Sequence, residues 1–361
     1  MRIINLETTK VLVPFEKPIR TAIHDIRGVG CVLVRLDSDA EVSGEGILFT
    51  FDRGMLDALA AVVKSLSTQA IGEDPFHVER IWRAMWRAIN FHGHEGLTIF
   101  ALSAIDTACW DLIGKSLEKP LHHVFGACRD TVPAYASGGL WHSLDRTELV
   151  EEAKGFVAQG FRAMKIRVGK PDIAEDVARV EAVRAGVGDA IALMADANQG
   201  LDVDHAIRLG RALAPFDLTW FEEPVPAYDL DGHARIAAAL DTPLASGETV
   251  YTGRGIKAMI EARAADILMP DLQRIGGPSE FRRAAALAAA AGLPVSPHVF
   301  TEQSLSLAGA LDNVCYVEHM PWFQPLYTER LELIEGELLI PDRPGLGFTF
   351  DPEAIKRFRV D

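Results

Sequence analysis

The sequence predicts an α/β protein in which a closed barrel of parallel strands and helices follows a smaller α+β segment. From about residue 130, the 361-residue chain alternates short apolar runs with helical stretches. Strands that are apolar throughout are typical of parallel strands buried on both faces. Eight such runs fit a (β/α)₈-type barrel whose last helix is short or replaced. An open doubly wound sheet is the alternative, but no GxGxxG motif opens a helix here.

The segment before the barrel has a different texture, with strand patterns first and helical patterns after them. Residues 98–113 are apolar almost all round, as in a buried helix. Strands followed by helices are typical of an α+β domain. The predicted strands are 2–13 and 29–36, the predicted amphipathic helices are 54–66 and 76–90, and residues 14–28 are predicted to form a loop.

The barrel prediction depends on a regular series of runs and on a short tail. The runs are 131–137, 162–168, 190–198, 218–224, 242–248, 266–272, 293–299 and 315–320. The tail is too short to be a domain, so we expect it to fold back over the N-terminal segment or the barrel. The predicted divisions are 1–125, 126–325 and 326–361.

Composition excludes several classes of protein. Lys and Arg number 36 against 51 Asp and Glu, a net charge of −15. Such an acidic balance repels phosphate backbones and anionic lipids, so we expect no nucleic-acid or membrane partner. The four cysteines form no CxxC pair and the first residues contain no apolar signal segment. We therefore expect reduced thiols and a cytoplasmic location.

Ionisable or polar side chains end almost every predicted barrel strand. Strand by strand, the groups that carry them lie 20 to 31 residues apart, which is one βα unit each. The C-terminal ends of barrel strands build the active face, so these side chains are expected to converge. They are Lys165, Arg167, Asp196, Asn198, Glu222, Glu223, Glu248, Asp271, His298 and Glu318.

Three carboxylates from successive strands predict a metal site. Asp196, Glu222 and Glu248 would repel one another at a barrel mouth unless they were protonated, paired or bound to a cation. Mg²⁺ takes oxygen ligands and keeps positions open for substrate oxygens. We therefore expect Mg²⁺ as the cofactor.

The other strand ends carry groups suited to acid–base work. Lys165 lies within an apolar strand, where a lysine is costly unless it faces a site. Asp271 precedes His298 by one strand, and a carboxylate beside an imidazole sets its tautomer and raises its basicity. A dyad of these two residues is therefore predicted.

These motifs together resemble the enolase superfamily, and within it the mandelate racemase group. The resemblance covers essentially the whole chain, and the matching segments are MKIRVG, DANQG, FEEP, SGET, MPDLQRIGG, SPHVF and YVEHM, with ALSAIDTACWDLIGK and PGLGF outside the barrel. It implies a (β/α)₇β TIM-like barrel, an N-terminal α+β capping domain that the tail completes, and Mg²⁺ on the three carboxylates. It also implies removal of the proton α to a carboxylate.

The resemblance assigns a role to each group. His298 with Asp271 is the base or acid on one face of a small-molecule carboxylate substrate. Lys165 lies on the opposite face or touches the substrate carboxylate, and Glu318 binds that carboxylate or acts as an electrophile. Relatives form symmetric dimers to octamers, so a homo-oligomer is expected.

One departure from the family pattern bears on the reaction. Arg167 replaces the second lysine of a Lys-x-Lys motif, and an arginine with a pKa above ~12 is a poor base. A racemase needs two bases, whereas His298 alone can serve a syn elimination of water. We therefore expect an acid-sugar dehydratase, a hydro-lyase, with a racemase, an epimerase or a lactone cycloisomerase as alternatives. A non-catalytic barrel and a Schiff-base aldolase are more distant ones.

Several further residues are predicted to touch the substrate. The resemblance places the 14–28 loop over the barrel mouth, where Arg20, His24 and Arg27 could clamp a second carboxylate or hydroxyl groups, and a solvated surface loop is the alternative. The remaining predicted substrate-binding residues are Arg167, Asn198, Arg274 and Trp322.

Overall fold

The computed structural model describes residues 1–361 except Ala22 and His24. The strands are β1 (Ile3–Arg20), β2 (Asp25–Ser38), β3 (Ser43–Thr50), β4 (Thr131–Ala136), β5 (Ala163–Arg167), β6 (Ala192–Asp196), β7 (Trp220–Glu222), β8 (Leu244–Ser246), β9 (Ile267–Leu268), β10 (Val317–His319), β11 (Leu333–Ile334) and β12 (Glu337–Leu339). The helices are α1 (Leu56–Ser67), α2 (Val78–Ala88), α3 (Leu97–Ser116), α4 (Leu121–Phe125), α5 (Arg146–Ala158), α6 (Ile173–Val187), α7 (Val203–Leu213), α8 (Leu230–Ala239), α9 (Thr252–Ala262), α10 (Leu272–Ile275), α11 (Pro278–Ala290), α12 (Thr301–Ala308) and α13 (Pro352–Phe358).

The N-terminal segment is an antiparallel sheet of β1, β2 and β3 packed on helices. Helix α3 lies directly on β3, and two glycines of β3 make that approach possible. A Cβ atom on Gly44 would lie 2.0 Å from the Ala108 carbonyl oxygen, and one on Gly46 would lie 2.2 Å from that of Ala104. Helix α3 is long and apolar enough to cross a membrane, but 78% of its most apolar window is buried within the fold. It is the core helix of this domain.

The predicted loop 14–28 is wrong at both ends. Strand β1 continues to Arg20 and β2 begins at Asp25, so only a short connection separates them. The ladder is irregular between Pro14 and Ile19 and then resumes with Ile19 opposite Ile26. Pro14 still pairs with Gly28, and the irregular stretch after it contains Pro18. Proline lacks an N–H donor but its fixed φ suits extended backbone, so the pairing is interrupted without ending the strand.

The barrel is built from parallel strands in chain order. Strands β4 to β9 pair consecutively, and β10 pairs with β4 to close the ring. The seventh position is held by the bridges Leu268–Val295 and Asp271–His298 rather than by a longer strand. The predicted barrel with an N-terminal capping segment is therefore confirmed. Its interior is filled by a buried layer that consists of Tyr135, Ala163, Met194, Trp220, Ala245, Ile267 and Met269.

The tail contacts both parts of the chain. Strand β12 pairs antiparallel with the first residues of β4, at the end of the barrel away from the polar strand ends. After α13, Arg359 bridges to Val11 of β1. These contacts agree with a tail that folds back, and the three domain boundaries stay predictions.

Candidate active site

A cavity of about 280 Å³ lies at the C-terminal ends of the barrel strands. Its floor carries the ionisable side chains of the barrel, and its roof comes from the capping segment. A more open groove of about 800 Å³ shares Gln199 and Thr249 with it but contains none of those strand-end acids and bases. The smaller cavity is lined by Thr21, Ile23, Ile26, Phe49, Phe51, Trp141, Lys165, Arg167, Asp196, Asn198, Gln199, Glu223, Glu248, Thr249, Arg274, His298, Glu318, Met320 and Trp322.

The strand register brings the predicted residues to one height. Arg167 of β5 pairs with Asp196 of β6, which pairs with Glu222 of β7. Lys165 lies two residues before Arg167, so both side chains point to the same face of β5. The parallel bridge between Asp271 and His298 likewise holds these two residues at the same height on neighbouring segments of the barrel.

Lys165 lies at the centre of a buried carboxylate cluster. Its Nζ atom lies 2.5 Å from Oε1 of Glu222, 3.1 Å from Oε1 of Glu318 and 3.2 Å from Oδ2 of Asp196. Burial acts to lower the pKa of Lys165, but Glu222, Glu318 and the other nearby negative groups raise it well above its ordinary value. The ammonium group is thus charged and neutralises part of the cluster.

Glu222 and Glu223 differ in what their oxygens contact. Glu222 accepts hydrogen bonds from Lys165 on Oε1 and from the Trp220 indole on Oε2, at 2.8 Å. Glu223 accepts from the Gln199 amide on Oε2, while its buried Oε1 has no partner among the described residues. Burial raises the pKa of Glu222 to about 8, and that of Glu223 well above its ordinary value. Both carboxylates would be stabilised by a further cation.

The donor set fits a hard divalent cation. Six carboxylates meet here but only three Lys and Arg side chains do, so even with His298 protonated two carboxylates must either take up protons, as the raised pKa values of Glu222 and Glu223 indicate, or bind a further cation. The carboxylates are those of Asp196, Glu222, Glu223, Glu248, Asp271 and Glu318, and the cationic side chains are Lys165, Arg167 and Arg274. The buried Oδ1 of Asn198 also has no partner among the described residues. Oxygen donors of this kind suit Mg²⁺.

The three predicted metal ligands lie at the same end of the barrel, but their carboxylate oxygens are not all in mutual close contact. Within the described part of the chain, the donor oxygens of Asp196, Glu222 and Glu248 do not all lie within 4.8 Å of one another. Their assignment as Mg²⁺ ligands stays a prediction.

His298 and Asp271 form the predicted dyad. The Nδ1 atom of His298 lies 2.8 Å from Oδ2 of the fully buried Asp271, and its Nε2 atom lies 3.4 Å from Oε2 of Glu248. Burial acts to lower the pKa of His298, but the carboxylate of Glu248 and the hydrogen bond to Asp271 raise it to about 9. With Nδ1 held by Asp271, Nε2 is the atom that faces the cavity.

Asp271 is itself held by α10. Its Oδ1 accepts a hydrogen bond from the backbone N–H of Arg274 at 2.8 Å, which makes it the N-cap of that helix. The Arg274 guanidinium lies 3.5 Å from Oδ2 and also lines the cavity. The cap fixes the carboxylate, and the carboxylate in turn fixes the imidazole.

The Arg167 guanidinium is hydrogen-bonded to backbone and side-chain groups of the barrel wall. Its Nη1 atom donates to the carbonyl oxygens of Ser137 and Gly139 at 2.8 and 3.2 Å, and Nη2 donates to the Ser137 hydroxyl at 2.9 Å. The guanidinium also lies over the Trp141 ring, 4.2 Å from its centroid. Among the described residues, only its Nε lacks a hydrogen-bond partner, and that atom lies 3.9 Å from Oδ2 of Asp196.

Glu318 is an ionised acceptor in this arrangement. Its Oε1 accepts from the Ser137 hydroxyl at 2.6 Å, and its Oε2 accepts from the Val299 N–H at 2.7 Å. Burial acts to raise its pKa, but Lys165, His298 and these hydrogen bonds lower it to about 2. An electrophilic role as a hydrogen-bond donor would require it to gain a proton.

The other predicted substrate-binding residues have mixed outcomes. Asn198, Arg274 and Trp322 line the cavity as expected. Arg20 does not: its side chain is 64% exposed and pairs with Asp25 at the strand ends that replace the predicted loop. His24 lies outside the described residues.

Sequence reasoning missed part of the site. Ser137 holds both Arg167 and Glu318, and Gln199 holds Glu223, yet neither received a role. Phe49 and Phe51, at the end of β3, form much of the roof. The FEEP and DANQG motifs contain Glu223 and Gln199, so their position after a strand was an available signal. Nothing local marks Phe49 or Phe51.

Two family models match nearly all of the chain. The N-terminal domain of mandelate racemase / muconate lactonizing enzyme matches residues 3–126, and the enolase C-terminal domain-like model matches residues 148–354. The chain belongs to the mandelate racemase / muconate lactonizing enzyme family. The resemblance inferred from the motifs is therefore confirmed, and so is the expectation of an enzyme.

Its relatives include both dehydratases and isomerases. The chain is 40% identical over 316 residues to L-talarate/galactarate dehydratase of Salmonella typhimurium, which covers 86% of this chain and 78% of that protein. It is 37% identical to 3,6-anhydro-alpha-L-galactonate cycloisomerase of Streptomyces coelicolor over 91% of each chain. L-talarate dehydratase of Polaromonas sp., crystallised with Mg and L-glucarate, superposes with a TM-score of 0.93, at 35% identity, and the match covers 100% of this chain and 98% of that one. The magnesium in that structure agrees with the Mg²⁺ cofactor expected from the sequence.

Proposed function

We propose that this enzyme removes the proton α to the carboxylate of a polyhydroxylated acid and then eliminates the β-hydroxyl, which yields a 2-keto-3-deoxy acid. One observation carries the choice of reaction. Arg167 stands where the family's Lys-x-Lys motif has its second lysine, and its guanidinium is hydrogen-bonded to barrel carbonyls. Lys165, the other basic side chain of this strand, is held as a charged ammonium by Glu222 and Glu318. Arginine keeps its proton in proteins. A single proton-transfer group suits elimination on one face.

The metal-binding residues of this proposal are Asp196, Glu222 and Glu248. Bound there, Mg²⁺ supplies Lewis-acid neutralisation of the negative charge that develops on the substrate carboxylate as the α-proton leaves. Lys165, in contact with two of these ligands, adds a fixed positive charge to the same region. Together they lower the barrier for a proton that imidazole alone could not remove.

His298 carries both proton transfers. The neutral imidazole is the base: Asp271 holds its proton on Nδ1, so the lone pair of Nε2 faces the substrate and takes the α-proton. Despite burial, the Glu248 carboxylate helps to raise the pKa of His298 to about 9, so neutralisation of Glu248 by a bound cation would favour this neutral form. The resulting imidazolium then gives that proton to the departing β-hydroxyl on the same face. Loss of water leaves an enol, which takes a solvent proton at C3 to give the 2-keto acid.

The experiment is a screen of mono- and dicarboxylic acid sugars with the Mg²⁺-loaded enzyme, with semicarbazide detection of 2-keto acids. At least one acid should yield product, and the His298→Asn variant should lose turnover by several orders of magnitude while it unfolds at the wild-type temperature. Near wild-type turnover by the variant would contradict the role of His298. Failure of every acid to give product or α-deuterium exchange would contradict the function itself.

Lactone cycloisomerisation is the second candidate, because a relative of 37% identity carries a cycloisomerase name. It begins with the same proton abstraction, but the departing β-oxygen belongs to a ring. The two are separated by offering each acid in its open and lactone or anhydro forms. A dehydratase consumes the open acid and releases water, whereas a cycloisomerase consumes the cyclic form alone.

A further inference from the structure

A cluster of two imidazoles and a carboxylate lies at the end of the barrel away from the candidate active site. His122 and His123 belong to α4, and Asp130 directly precedes β4, whose first residues form that end of the barrel. One ring nitrogen of each histidine and one Asp130 oxygen lie within 4.8 Å of one another. Among the described residues, no other group of His, Cys, Asp or Glu side chains brings three ligand atoms so close together. We call these three residues the α4 cluster.

The buried member of the α4 cluster lacks a protein partner. His122 is 2% exposed, and its buried Nδ1 atom has no hydrogen-bond partner among the described residues. The cation next to the cluster does not neutralise it, because the Arg129 guanidinium donates to the carbonyl oxygen of Val314 at 2.9 Å and forms no ion pair with Asp130. A buried nitrogen that stays unpaired costs free energy, so the site calls for a ligand that the surrounding side chains do not provide.

Backbone contacts fix the segments that carry the α4 cluster. The Asp130 carbonyl oxygen accepts a hydrogen bond from the Ile340 N–H at 2.9 Å, which ties this residue to the tail. The Cys128 N–H donates to the Gly309 carbonyl oxygen at 2.7 Å, at the end of α12. That end lies so close to α4 that a Cβ atom on Gly309 would be 2.9 Å from the Cβ atom of His122. Ligands carried on a fixed backbone need little rearrangement to bind an ion.

A second carboxylate lies beside the α4 cluster. The exposed Asp342 belongs to the tail, two residues after the residue whose N–H binds the Asp130 carbonyl. Burial lowers the pKa of His122, whereas Asp130 and Asp342 act to raise it, so both carboxylates lie within electrostatic reach of this imidazole. The cluster thus offers two nitrogen ligands and one oxygen ligand, with a further carboxylate nearby.

We propose that the α4 cluster binds one Zn²⁺ ion through a ring nitrogen of His122, a ring nitrogen of His123 and an Asp130 oxygen, and that Asp342 or water completes the site. Zinc takes such ligands at about 2.0–2.2 Å in a tetrahedron, which sets the ligand atoms about 3.3 Å apart. His123 and Asp130 are exposed and can rotate to reach that spacing. Imidazole ligands favour Zn²⁺ over Mg²⁺, which prefers oxygen alone, so this site is independent of the metal site in the proposed function.

The test titrates the Mg²⁺-saturated protein with Zn²⁺ by calorimetry and measures retained zinc by elemental analysis after gel filtration. We expect a site for one Zn²⁺ per chain, and a rise in unfolding temperature of at least about 2 °C at a hundredfold excess of Zn²⁺ over its Kd. His123→Gln changes an exposed side chain, so it should leave the fold intact and weaken this site by at least about tenfold. His77→Gln, at an exposed histidine of the capping segment, is the matched control and should bind Zn²⁺ as the wild type does.

The difference between the variants is the readout, because Zn²⁺ that displaces Mg²⁺ from the strand-end carboxylates would bind equally to both. Asp130→Asn is a second variant that keeps both histidines, and it should also weaken the site. Zinc bound with the same affinity by the wild type, His123→Gln and Asp130→Asn would overturn the inference, as would a wild-type protein that retains no zinc. Either result leaves the proposed function standing, since that function is tested by turnover of acids with Mg²⁺.

Discussion

Replacing Asp271 by asparagine isolates the control of the His298 tautomer. The amide oxygen of the new side chain can still cap α10, since Asn and Asp are nearly equivalent N-caps. The amide NH₂ group would then face Nδ1 of His298, where Oδ2 of Asp271 now lies at 2.8 Å. The imidazole would respond by carrying its proton on Nε2, which is the wrong nitrogen for a base.

The cost follows from two terms at this buried pair. The reactive tautomer would lose a charge-assisted hydrogen bond, worth about 1.5–3 kcal/mol, and would leave a buried donor unpaired, at about 1–3 kcal/mol. At about 1.4 kcal/mol per decade, we expect turnover of Asp271→Asn to fall by roughly 10²–10⁴-fold.

The assay measures kcat for 2-keto acid formation and the unfolding temperature of each variant. Asp229→Asn is the matched control, because Asp229 caps α8 through the Gly232 N–H and does not line the cavity. It should keep wild-type turnover. A fall of less than tenfold in Asp271→Asn, at an unchanged unfolding temperature, would show that Asp271 only caps a helix.

Three further predictions concern the metal site, the hydrogen bonds of Arg167 and the pH dependence of stability. Chelation by EDTA should abolish turnover, and added Mg²⁺ should restore it. Glu248→Gln should raise the Mg²⁺ concentration needed for half-maximal activity. Full activity without metal would contradict the proposed metal site. Arg167→Lys should lower the free energy of unfolding, measured by denaturant titration, by about 2 kcal/mol, because the Ser137 carbonyl and hydroxyl lose the guanidinium donors. A gain in turnover would show that the side chain at position 167 transfers protons. Burial raises the pKa of Glu302 from 4.5 to about 7. The folded state therefore binds the carboxyl proton more tightly than the unfolded state does. The free energy of unfolding should fall by roughly 3 kcal/mol as pH rises from about 4.5 to about 7. Glu302→Gln should remove this dependence, and an unchanged slope of unfolding free energy against pH would place its origin elsewhere.

The barrel and its polar strand ends could be predicted because the signals are local. An apolar run such as 162–168 places Lys165 and Arg167 on one face of a strand whatever the rest of the fold does. Repetition of that unit then brings Asp196, Glu222 and His298 to one mouth. The capping sheet was harder to predict, since the ladder is interrupted between Pro14 and Ile19 while the strand continues.

Contacts between distant segments could not be predicted. Arg167 donates to Ser137, which lies 30 residues away just after β4, and no local pattern predicts these hydrogen bonds of the guanidinium. The same holds for the roof, where Phe49 and Phe51 meet Trp322 across more than 270 residues. Charge in the 14–28 segment pointed to a clamp, whereas the residues of its described part that line the cavity are Thr21, Ile23 and Ile26.

The most direct test of the single-base account is turnover of a reactive acid in D₂O, followed by NMR of product and residual substrate. Elimination through His298 predicts a 2-keto-3-deoxy acid with one deuterium at C3, and residual substrate with its original configuration at C2. Accumulation of the C2 epimer, without 2-keto acid, would contradict elimination through His298 alone, because inversion requires a second proton-transfer group on the opposite face of the substrate.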